Sequence, residues 1–148
     1  MTWSALQVVA SLAMTVTEPL LDEPTLSIAE VVERTGVSHD TLRYYEKEGL
    51  LAPPRDQGGR RRYRELDVGR VVFITRMRQS EMPIRVLQRY VALVEEGPAT
   101  EPERLAIMEE HRDAVQARRA ELDDALAIIE MKIELYGGTL GSSGSCGA

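Results

Sequence analysis

The most regular alternation of apolar and polar positions lies toward the C-terminal end. Leu105, Met108, Arg112, Val115, Arg119, Leu122, Leu126, Ile129, Ile133 and Tyr136 recur at steps of three and four without a slip. That spacing is a helical heptad seam. Thr100 with Glu103 matches a capping box and predicts where the helix opens. At about 1.5 Å per residue such a helix runs roughly 50 Å, too long to bury its stripe on a small domain. It needs a partner, most simply its own copy. Arg112 and Arg119 interrupt the seam in the manner that sets register at some cost in stability.

Upstream the periods are shorter. Ser27 and Glu30 form another capping box, followed by Ile28, Val31 and Val32 at helical spacing. Gly36 stands where a left-handed residue ends a helix, and Val37 is expected to plug the core. Ser38 caps a second short helix, Asp40 suits its positive end, and Leu42 and Tyr45 supply its inner face. Gly49 closes it. The stretch 55–64 then holds five arginines and one acid around Gly58-Gly59, a hairpin-turn signal. A third helix is predicted over 65–79 with Val68, Val71, Val72 and Met77 near one face. Met82-Pro83 breaks it, and a fourth helix carries Leu87, Val91 and Val94 before stopping at Gly97-Pro98. Two short helices, a tight turn and a basic hairpin predict a winged helix-turn-helix that binds DNA. A flexible solvated loop is the competing reading of 55–64.

The net charge of −6 argues at first against a nucleic-acid partner, but its distribution reverses that. Residues 1–25 carry three acids and no base; residues 26–90 carry 13 Lys+Arg against 9 Asp+Glu; residues 91–148 carry 5 against 12. One basic segment flanked by acidic ones suits a face that meets phosphates. Cys146 is the only cysteine, which excludes an internal disulfide framework and suggests a reducing compartment. No run approaches the roughly 18 apolar residues of a membrane span. No Lys or Arg precedes Arg34, so the start lacks the positive region of a secretory signal, and a cytoplasmic location is expected.

Four segments follow. Residues 1–25 read as a disordered lead-in in which Met14 is a candidate translation start. Residues 26–97 read as the DNA-binding domain, 98–136 as the dimerisation helix, and 137–148 as a disordered Gly/Ser-rich tail. The expected fold is mainly α.

The chain resembles the MerR family of bacterial transcriptional regulators over residues 26–136. The resemblance rests on Thr41-Leu42-Arg43-Tyr44-Tyr45-Glu46 with Gly49-Leu50-Leu51, on the wing from Gly59 to Tyr63, and on the long terminal helix. It implies a homodimer joined by an antiparallel coiled coil, and the dimer's seam is assigned to Leu105, Met108, Val115, Leu122, Leu126, Ile129 and Ile133. It implies binding to a pseudo-palindromic promoter, whose spacer the dimer distorts for RNA polymerase. Carried onto this chain, Ser38, Arg43, Tyr44 and Tyr45 belong to the recognition helix. Arg61 and Tyr63 are the wing residues that hold the DNA backbone, and Arg60 and Arg62 are additions suited to phosphate. Tyr45 is equally a core candidate, and Glu46 an orienter of Arg43.

Metal-sensing members of the family place several cysteines around the long helix, whereas this chain offers only Cys146. No metal or cofactor is therefore expected, and the sequence does not reveal an effector. Nothing resembles a catalytic constellation or a phosphate-cradling glycine loop, so an enzyme is not expected. A second reading is an effector-free architectural or adaptor protein whose coiled coil recruits another chain.

Overall fold

The computed structural model describes residues 23–142. The readings of residues 1–22, with Met14, and of residues 143–148, with Cys146, lie outside the described residues. The described chain is mainly helical: α1 (Ile28–Thr35), α2 (His39–Lys47), α3 (Glu65–Gln79), α4 (Ile84–Glu96) and α5 (Glu101–Ser142), with a 3-10 turn at Pro98–Thr100. The chain divides into two compact units, one ending at Arg104 and the other starting at Leu105.

In the first unit the local signals act as their chemistry requires. The Ser27 amide donates to Glu30 Oε2 at 2.7 Å while the Glu30 amide donates to Ser27 Oγ at 3.3 Å, so α1 opens in a reciprocal cap. Gly36, at φ 72°, closes it and its amide reaches the Val32 carbonyl at 2.8 Å. Two residues later Ser38 Oγ accepts from the Thr41 amide at 3.1 Å and starts α2. Helix α2 ends in a Schellman turn: Gly49 takes φ 72°, and the Leu50 amide bonds the Tyr45 carbonyl at 2.9 Å. The same arrangement closes α3, where the Met82 amide bonds the Met77 carbonyl at 2.8 Å, but the left-handed residue is Glu81 at φ 68°.

These helices meet around Val31, Leu42, Leu50, Val68, Val71, Ile74 and Leu87, all buried. Val37 closes the corner between α1 and α2. Arg34 grips Glu65 with both terminal nitrogens, at 2.6 and 2.7 Å, and links α1 to α3. Gln88 on α4 donates to the Glu48 carbonyl at 2.9 Å, so the last turn of α2 is tethered to α4.

The start of α5 differs from the expected capping box. Helix α5 begins at Glu101, and the hydroxyl of buried Thr100 turns back to the Gly97 carbonyl at 2.8 Å and to the Leu93 carbonyl. Thr100 thus ties α5 to the end of α4 and does not cap its own helix. The far end also differs, because α5 passes through Gly137 and Gly138 to Ser142. Adding a residue to an existing helix needs no new nucleus, and each glycine costs only about 1 kcal/mol.

In the second unit, Leu105, Val115, Leu122, Leu126, Ile129, Ile133 and Tyr136 are all exposed, and Met108 is half-buried. None of the described residues covers this stripe.

Candidate nucleic-acid interface

The exposed side of α2 is set by its period. With Leu42 and Tyr45 turned inward, Arg43 and Tyr44 must face out, and they do. Arg43 lies 3.9 Å from Asp40, a weak contact on a guanidinium that is 61% exposed and free to reach elsewhere. Tyr45 is a core residue. It is buried, its hydroxyl lies 3.3 Å from Thr75 Oγ1 on α3, and its ring packs 6.1 Å from that of Tyr44. Of its two readings, core and DNA-facing, the burial of Tyr45 favours core: the helical period that turns Tyr44 out turns its neighbour in.

Between α2 and α3 the chain folds back on itself. Single antiparallel bridges pair Arg55 with Arg61 and Leu26 with Tyr63. Asp56 organises the turn. Its Oδ1 accepts from the amides of Gly58 at 2.9 Å and Arg60 at 3.0 Å, and its carbonyl accepts from the Gly59 amide at 2.9 Å. The Arg60 amide, foremost, keeps the Asp56 carboxyl below its ordinary range, with Arg62 adding to the effect. Gly59, at φ 75°, supplies the left-handed residue that the turn needs. The flexible-loop reading of 55–64 fails here, since the hairpin is bonded from within.

The arginines of this wing have different tasks. Arg60 is exposed and its guanidinium has no partner among the described residues. Arg62 pairs with Asp56 at 3.0 Å and reaches the Thr25 carbonyl at 3.4 Å. Arg61 is joined to Glu46 on α2 through Nε to Oε2 and through Nη2 to Oε1, the latter at 3.3 Å. That hydrogen bond, foremost, raises the Arg61 pKa. Arg55 Nη2 lies 3.6 Å from the same carboxylate.

Tyr63, expected to hold the DNA backbone, lies in the core. Only 1% exposed, it is the largest fully buried side chain, and burial raises its pKa. Its backbone exchanges hydrogen bonds of 3.0 and 2.8 Å with Leu26, so it anchors the base of the wing from inside. Tyr63 is itself one half of the bridge to Leu26, a core position that charge density alone does not reveal.

Together Ser27, Ile28, Arg43, Gly59, Arg60, Arg61 and Arg62 line a shallow groove between the start of α1, the outer side of α2 and the wing. Four of those seven are arginines. Such a concavity suits a phosphate backbone. Sequence reasoning missed Asp56 and undervalued Glu46. The available signal was that Asp56 is the only acid in the block 55–64.

Comparison with known proteins yields concordant matches. The family profile described as MerR HTH family regulatory protein matches residues 26–93, and that described as MerR, DNA binding matches residues 68–131. An HTH-type transcriptional regulator of Haemophilus influenzae is 32% identical over 113 residues, which span 76% of this chain and 84% of the relative. The regulator ZntR of Escherichia coli K12 is 31% identical over 121 residues, 80% of this chain and 86% of the relative. Among solved structures, HiNmlR, described as a MerR family regulator lacking the sensor domain and bound to promoter DNA, superposes with a TM-score of 0.71. It is 30% identical and the match covers 79% of this chain and 94% of that one.

Proposed function

Since this chain belongs to the MerR family of helix-turn-helix regulatory proteins, and is a DNA-binding transcriptional regulator rather than an enzyme, we propose that it acts as a homodimer on a pseudo-palindromic promoter. The observation that carries this reading is the uncovered stripe on α5. Leu122, Leu126, Ile129 and Ile133 are each more than half exposed, and they alternate at the spacing of a two-stranded coil. A second copy, antiparallel as the family resemblance implies, covers Leu105, Met108, Val115, Leu122, Leu126, Ile129 and Ile133 at one stroke.

Each protomer then offers one recognition helix. Arg43 and Tyr44 enter the major groove, the amide end of α2 at Ser38 faces a phosphate, and Arg60 at the wing tip holds the flanking backbone. Two such units on one rigid dimer impose their own spacing on the operator. The DNA between them bends or untwists to fit, and RNA polymerase reads that altered spacer. The match to HiNmlR, which is described as bound to promoter DNA, supports this reading.

A footprint on the gene's own upstream DNA, with light scattering on the same preparation, tests the proposal. Two protected half-sites with a distorted centre and a dimeric mass are expected. A monomer that binds no promoter fragment overturns the proposal and favours the adaptor reading.

A further inference from the structure

We propose that Glu46 is a positioning residue that locks the wing onto the recognition helix, so that Arg61 serves DNA binding through the wing's placement and not as a phosphate ligand. This rests on the DNA-binding reading above and adds to it a division of labour among the wing arginines.

Two isolated bridges are a weak frame for a hairpin, because a lone two-stranded ribbon is marginal in water. The outer of those bridges sets Arg55 directly opposite Arg61, and like charges facing each other across strands repel. Glu46 answers both problems at once. Its carboxylate accepts from Nε and Nη2 of Arg61 and stands 3.6 Å from Nη2 of Arg55. One side chain on α2 therefore holds both strands of the wing at the same level.

The clamp is sheltered, with Arg61 27% and Glu46 26% exposed, unlike the open Arg60. Moving Arg61 to a phosphate would leave a half-buried carboxylate beside the DNA without its partner, an unfavourable exchange. The two edges of the pair also demand a fork. Arg61 uses Nε and Nη2 together, a geometry that a lysine ammonium cannot reproduce. A phosphate contact, by contrast, tolerates a point charge.

The full-length wild type, Arg61→Lys, Arg61→Gln, Glu46→Gln and the Glu46→Gln/Arg61→Gln double variant are titrated against a promoter duplex and an unrelated duplex over a salt series. Amide exchange is followed at Asp56 and Arg62, whose N–H groups bond to the Arg60 and Pro54 carbonyls. Arg61→Lys and Arg61→Gln are each expected to lose roughly tenfold in promoter affinity. Their salt slopes should stay within about half a unit of wild type, where loss of a phosphate contact would flatten the slope by about 0.9.

Glu46→Gln frees two cations, so promoter affinity should fall while affinity for the unrelated duplex rises and the slope steepens. The double variant should lose no more than the worse single one, and wing amides should exchange faster in all four variants. The proposal is overturned if Arg61→Lys binds as wild type while Arg61→Gln flattens the slope by about one unit, or if wing exchange is unchanged. Should Glu46→Gln fail to fold, the contrast between the two Arg61 variants decides by itself. If wild type binds no DNA at all, the DNA-binding reading falls alone, and amide exchange still decides the lock.

Discussion

In the unit ending at Arg104, Val31, Leu42, Leu50, Val71 and Leu87 have essentially no surface left to solvent; beyond Leu105, Leu122, Ile129, Ile133 and Tyr136 are each more than half exposed. Both regions are built from helices with apolar residues at steps of three and four. What separates them is length and punctuation. Gly36, Gly49 and the Pro83 break stop each helix after two to four turns, so that its stripe can fold back onto a neighbour within the same chain. Helix α5 runs 42 residues with no such stop. On the proposed homodimer reading a second copy covers that stripe, so that the period which makes a core in one region would make an interface in the other.

The strongest blow to this contrast is a charge on the α5 stripe. Ile129→Glu is expected to convert the dimer to a monomer in sedimentation, and to weaken promoter binding by about 10²–10⁴-fold because the second half-site is no longer tethered. A dimer that survives Ile129→Glu would place the interface elsewhere. The matching change in the first unit is Leu42→Ala. It should cost about 2–5 kcal/mol in denaturant unfolding, since the site is fully enclosed. Under native conditions the mass should remain that of a dimer. A mass that falls with Leu42→Ala would mean that the two regions do not divide their work in this way.

Most of the scaffold was legible because its signals are local. Ser27 with Glu30, Gly36, Ser38 and Gly49 each act on their own backbone within a few residues, and each does so in the structure. The paired helix end after α3 shows the limit. It has the same Schellman bonds as the end of α2, yet carries Glu81 where α2 has Gly49. No glycine marks it, and it is set by the burial of Met82 just beyond.

The interface was less legible than the fold, for a related reason. Its charge was plain in the sequence, but partners distant along the chain decide which cations are free. Glu46 and Arg61 are 15 residues apart, and Tyr63 is drawn into the core by its bridge to Leu26. Thr100 misled in the same way: the spacing to Glu103 fits a cap, but two nearby carbonyls claim the hydroxyl first.

Within the first unit, exposed and paired cations should separate cleanly. Arg60→Ala and Arg43→Ala are expected to cost about 1–3 kcal/mol each in DNA affinity and to flatten the salt slope by about one unit. Thermal stability should hardly move, since among the described residues Arg60 makes no ion pair and Arg43 only a long one. An unaltered slope for Arg60→Ala would remove the wing tip from the interface.

The smallest effect concerns the link between α1 and α3. Hydrogen bonding to Arg34, foremost, holds the Glu65 carboxyl below its ordinary value of 4.5, with a Coulombic contribution from the same guanidinium. A depressed folded pKa means that the pair's contribution is fully present above about pH 4.5 and is lost as pH falls through the lower folded value. Glu65 is 64% exposed, so the contribution should be under about 1 kcal/mol and should shrink in roughly 1 M salt, where screening acts over about 3 Å. Denaturant midpoints for wild type and Glu65→Gln should therefore differ at pH 6 and converge toward pH 3. Asp56, whose carboxyl is also held low, remains in both proteins and should leave a common acid loss. A Glu65→Gln midpoint that equals wild type at pH 6 in low salt would show that burial alone joins α1 to α3. The first unit would then owe nothing measurable to this surface charge pair.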